Sequence, residues 1–88
     1  MPPQTPNDPH ALALAALAAT LTDERRAQRF LDMTGIGTDE LRSRAGERSL
    51  LAGLLIFLEA HEPDLLSVSD QIGVQPEQLV RAREALEA

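Results

Sequence analysis

The chain of 88 residues offers few groups that could carry chemistry: 14 carboxylates, eight arginines and two histidines. His61-Glu62 has the opening of a zinc-protease helix, but Pro63 follows and no second histidine lies one turn on. His10 sits far from His61 in the chain, so a three-ligand zinc site has no spacing to build on. Gly35-Ile36-Gly37 resembles part of a phosphate loop, yet it lacks the preceding strand and the further glycine that would cradle an anion. Cysteine and tyrosine are absent, and no serine stands in a nucleophile elbow. A bundle of this length also has little volume for a substrate cavity. The expectation is a protein that is not an enzyme, with no catalytic residue, no metal and no cofactor.

The arginines are the one cluster with a functional reading. Arg25, Arg26, Arg29, Arg42, Arg44 and Arg48 fall within a short stretch and could form an interaction patch for an acidic partner or a phosphate. The structural alternative is a solvated face whose arginine stems cover apolar surface, and it outweighs the docking patch. Against the patch stands the acidic run Glu59, Glu62, Asp64 and Asp70 in the second half. Together they suggest head-to-tail contact between copies, and hence a homodimer.

The formal net charge is −6, with a pI near 4.7. That balance opposes generic binding to nucleic acid or anionic lipid. The first 46 residues carry six acids and five arginines, the remainder eight acids and three arginines, so nearly all the excess is in the second half. Without cysteine, neither disulfides nor thiolate metal sites can support so small a core. The Pro-rich start has no positive n-region, and the apolar run from Leu50 to Leu58 is far shorter than a membrane span of about 20 residues. A cytoplasmic protein with no membrane contact is expected.

Residues 1–8 read as a disordered Pro-rich tail and 9–88 as a single helical domain. Asp8-Pro9 is a helix start, an acceptor at the cap followed by proline at the first helical position. The first helix runs to about Thr20, with Leu12, Leu14, Leu17 and Leu21 large and alanine elsewhere. Thr22-Asp23-Glu24 caps a second helix whose inward stripe is Ala27, Phe30, Leu31 and Thr34. Gly35 ends it in a left-handed conformation that costs glycine nothing. Thr38-Asp39-Glu40 repeats the cap triplet before a short third helix ending near Gly46. The fourth, from about Glu47, is apolar almost all round and should lie at the centre. Glu62-Pro63 starts a fifth with Leu65, Val68 and Ile72 inward. Gln75-Pro76 starts a sixth, with Glu77 and Arg81 paired one turn apart. No stretch has the period of a strand.

Gly35-Ile36-Gly37-Thr38-Asp39-Glu40-Leu41 returns as Gly73-Val74-Gln75-Pro76-Glu77-Gln78-Leu79, an offset of 38. The same offset superposes Leu12 on Leu50, Leu17 on Leu55, Phe30 on Val68 and Asp32 on Asp70. Duplication of a three-helix unit and convergence on one way of joining helices both account for it. The second copy, residues 66–82, resembles a DNA-reading helix-turn-helix: Ser69 is small enough for close crossing, and Val68, Ile72, Val74 and Leu79 fix the angle. Its second helix is rich in glutamate, so a packing corner is the stronger reading and nucleic-acid binding the alternative.

The Leu-Ala helix from Leu12, Arg26-Ala27-Gln28-Arg29-Phe30-Leu31, Thr34-Gly35-Ile36, Leu41-Arg42, the Leu50–Leu58 helix and the ending Ala82-Arg83-Glu84-Ala85-Leu86 resemble a small bacterial family, domain of unknown function 3572. The resemblance covers about residues 10–87. It implies an all-helical, stand-alone bacterial protein and brings no activity, cofactor or catalytic residue with it. The chain is therefore expected to be an all-α, compact bundle of five to six short helices, a non-enzymatic protein-interaction or regulatory adaptor with an unknown protein partner.

Overall fold

Six α-helices follow one another in the computed structural model, which describes residues 8–88: α1 Pro9–Leu21, α2 Glu24–Thr34, α3 Thr38–Arg44, α4 Arg48–Glu59, α5 Glu62–Ile72 and α6 Pro76–Glu87. No strand occurs among these residues. The expected tail falls in residues 1–7, outside the described residues, except for Asp8. Asp8 is the N-cap of α1, its carboxylate accepting from the His10 backbone N–H at 3.0 Å.

The centre is shared by α1 and α4, not held by α4 alone as its composition suggests. α4 packs against α1, α5 and α6, while α1 packs against α2, α4, α5 and α6. The reason lies in side-chain size. Ala13, Ala16 and Ala19 on α1 are buried, and alanine lets helix backbones approach closely. Leu51, Leu54, Leu55 and Leu58 on α4 are fully buried and supply the volume. Each contributes about 2 kcal/mol relative to an exposed side chain. The apolar surround of α4 is incomplete, since Ile56 is 46% exposed. On α1, Leu12 and Leu17 are buried but Leu14 and Leu21 reach the surface. Four neighbouring helices thus cover most of α1.

The offset of 38 extends to the helix ends. Glu24–Thr34, moved by that offset, becomes Glu62–Ile72, the bounds of α5. Phe30 and Val68 are both fully buried, Leu41 and Leu79 are both core residues, and Gly35 and Gly73 both adopt the left-handed conformation, φ 74° and 76°. Beyond the corners the halves part. α6 is five residues longer than α3 and packs against both α1 and α4, whereas α3 is held mainly through Leu41.

Three local expectations are corrected. The N-cap of α3 is Gly37 and no side chain caps it, so the Thr38 triplet does not repeat the Asp23 cap. Thr38 lies one position inside the helix, where its hydroxyl cannot reach the free N–H groups as a cap does. Thr34 is exposed, its hydroxyl donating to Phe30 O at 2.9 Å, and Arg26 takes the buried position instead. Glu77 and Arg81 form no ion pair among the described residues; on α6 it is Arg83 that pairs, and the Gln78 side chain accepts from Gln75 N–H at 2.8 Å.

The two glycine types separate in a stability measurement. Gly73 carries φ +76° while Gly37 has φ −87°, and a Cβ at either meets no atom within 4 Å. Urea denaturation should show Gly73→Val destabilised by about 1–2 kcal/mol through left-handed strain alone. Gly37→Ala should stay within about 0.5 kcal/mol of the parent.

Candidate functional site

Three of the six arginines of the expected patch, Arg26, Arg29 and Arg44, are paired within the chain. Arg26 lies at the third position of α2 and is only 7% exposed. Its guanidinium sits 3.6 Å from Asp23 and 3.8 Å from Asp64, and its Nε and Nη1 make no hydrogen bond among the described residues. Arg29 donates to Asp64 at 2.6 Å and lies over the Phe57 ring, 5.6 Å from its centroid. Phe57 in turn meets Phe30 edge-on at 5.3 Å. Arg44 joins Glu47 at 2.9 Å and Glu40 at 3.0 Å, and both hydrogen bonds hold its pKa above the usual arginine value. Arg25, Arg42 and Arg48 are exposed and make no ion pair among the described residues. Arg42, Arg44 and Arg48 line three different depressions.

Spacing along the chain could not reveal this, because the acids that claim Arg26 and Arg29 come from the other half. Arg26 and Asp64 are separated by the repeat offset, so each is the third residue of its helix. Equivalent positions, carrying opposite charge, meet through their side chains between α2 and α5. The acidic run is likewise drawn inward. Asp64 is 8% exposed, and Glu59 receives Arg83 at 2.6 Å. Arg83 also bonds Glu87 at 2.7 Å, and the two carboxylates, Glu59 foremost, raise its pKa. Only Glu62 and Asp70 of that run remain exposed without a basic partner among the described residues.

Other candidates hold no assembled chemistry. No group of three metal-binding side chains comes together among the described residues. His10 is exposed in the first turn of α1, and His61 is the N-cap residue of α5. At the second corner Val74 N–H donates to Ser69 O at 2.9 Å, and Ser69, 2% exposed, seals the crossing. The first corner closes differently, Gly35 N–H to Leu31 O at 2.8 Å, since Leu31 is too bulky for Ser69's place. The outer face of α6 exposes Glu77, Glu84 and Glu87 against Arg81. A DNA-reading helix needs the opposite balance.

One apolar concavity was missed from sequence. It is an open groove of about 400 Å³ between α1, α2 and α3. Leu17 and Leu21 form one wall, Ala27 and Leu31 a second, and Leu41 with Ala45 a third; Thr38 and Arg42 stand with them. Leu21 is 40% exposed there. The available signal was Leu21 itself, a large apolar residue in the last turn of α1.

These features define a small all-α bundle with surface grooves and no helix long and apolar enough to cross a membrane. A family model described as "Protein of unknown function (DUF3572)" matches residues 6–88, and the chain belongs to that family, as the sequence resemblance implied. No curated protein and no solved structure matches it.

Two measurements follow from this geometry. Asp64→Ala leaves buried Arg26 with only its 3.6 Å contact to Asp23 and removes the partner of Arg29, and should destabilise by about 2–3 kcal/mol, against under about 1 kcal/mol for Arg26→Met, which removes the charge and keeps the volume. The second concerns Asp23. The Arg26 backbone N–H at 3.0 Å, reinforced by its guanidinium, holds that carboxyl below the usual aspartate range. A depressed carboxyl contributes stability that is present above the unfolded aspartate value of about 3.9 and lost as pH falls through the folded value. Acid titration of Asp23→Asn, which keeps the cap, should therefore show a shallower loss below about pH 4 than the parent.

Proposed function

We propose that the protein is a non-enzymatic interaction or regulatory adaptor, acting in the cytoplasm of a bacterial cell, whose groove between α1, α2 and α3 receives an amphipathic helix of a protein partner. The observation that carries this reading is the groove's lining. Six of its eight residues are Leu or Ala, and Leu21 is held at its rim with much of its surface in water. Apolar side chains kept open to solvent along a groove are what helix-in-groove recognition uses. The fold supports the same reading. α3 has little packing of its own, so the third wall can adjust to an incoming side chain. The alternative, nucleic-acid binding through residues 66–82, finds no support in the glutamate-rich outer face of α6.

Capture from the native cell, quantified by mass spectrometry, tests this. Leu21→Glu should lose the co-purifying partner by at least about tenfold, as expected for an interface anchor. Met33→Glu, on an exposed position of α2 outside the groove, should retain it. Equal capture by both variants would remove the reading.

A further inference from the structure

The two halves treat the same place in opposite ways. Leu21 and Ala45, which both line the groove, stand one repeat before Glu59 and Arg83. In the second half those positions are joined by the 2.6 Å Glu59–Arg83 bond, at the start of the extra length by which α6 exceeds α3. In the first half they are apolar and nothing in the chain spans them. Arg42 has no ion pair among the described residues, where the second half has Val80. The first half thus leaves open, apolar and cationic a site that the second half closes with its own side chains.

The surface whose chemistry matches is on the chain itself. On α5, Glu62, Leu66 and Asp70 follow at four-residue steps along one side of the helix, and all three are exposed. Leu66 is 49% exposed, a large apolar side chain with a carboxylate one turn before and one turn after it. The half that carries α5 holds nearly all of the excess negative charge. We infer that the groove between α1, α2 and α3 receives the Glu62–Leu66–Asp70 face of α5 from a second copy, with Leu66 against Leu21 and an α5 carboxylate against Arg42. This rests on the groove being an interaction site and names its occupant. It differs from a general pairing of basic and acidic stretches, because Arg26, Arg29, Arg44, Asp64 and Glu59 are already paired within one chain. A two-fold operator makes the groove-to-helix contact twice, an isologous arrangement that closes the dimer.

Sedimentation velocity on the full chain across a concentration series tests the pairing, with circular dichroism as a check of folding. The parent should associate, and Leu66→Glu and Arg42→Glu should each weaken association by about tenfold or more. Reversing both sides together, Arg42→Glu with Glu62→Arg and Asp70→Arg, should restore it. A parent that stays monomeric to about 1 mM, or association unchanged in Leu66→Glu and Arg42→Glu, overturns the inference. Partner capture that is lost in Leu21→Glu while the parent is monomeric leaves the groove as an adaptor site and removes only the second copy.

Discussion

Three alanines on one helix govern how the other five are placed. Ala13, Ala16 and Ala19 are buried on α1, and their small side chains bring its backbone close to its neighbours. Close approach allows one thin helix to touch α2, α4, α5 and α6 at once. The leucines of α4 then fill the space left, and α6 closes over both with Leu79, Ala82 and Leu86. A larger residue at Ala13 or Ala16 would have to displace a neighbouring helix, because interiors packed to crystal density cannot absorb extra methylenes without strain. In so short a chain that close packing stands in for the large aromatic core that two phenylalanines cannot supply.

The Arg26–Asp64 contact is the second constraint, and it acts differently. A buried ion pair contributes little net stability, because desolvating two charges offsets most of their attraction. Its value lies in register. Arg26 and Asp64 hold equivalent positions in α2 and α5, so a shift of α2 by one turn would break the contact that brings them together. Arg29, seated on Phe57 and bonded to Asp64, ties the same point to α4. α2 is therefore positioned by charge and by the Phe30–Phe57 ring contact, while α5 and α6 are positioned by broad apolar packing. The groove opens where α3, short and packed on no other helix as broadly as α6 is, leaves Leu21 uncovered; α6, longer and bridged to Glu59, covers its own side of the bundle.

Much of the architecture was legible from the residues. Asp8-Pro9, Asp23-Glu24 and Gln75-Pro76 mark helix starts because their local chemistry is satisfied within one turn. Gly35 and Gly73 mark stops because only glycine enters the left-handed region freely. Elsewhere the reading failed where the outcome depended on distant partners. Thr34 fits the inward stripe of α2 by spacing, yet Arg26 is the residue that goes inside, since a carboxylate from α5 meets it there. Six arginines close together in sequence suggest a patch, and the folded chain distributes them.

The sequence by itself determined the all-helical class, the approximate limits of the helices, the two glycine corners and the apolar character of α1 and α4, because caps, stops and periodicity are interactions among neighbours. Tertiary structure alone decided which charges are available. Arg26, Arg29, Arg83, Glu59 and Asp64 are spent on bonds within the chain, and Arg42, Glu62 and Asp70 are left outside. It also decided that α1, and not α4 alone, holds the centre, and that a groove opens beside Leu21. Those outcomes depend on which helices lie against one another, a pairing that small side chains permit but do not spell out in any local stretch of residues.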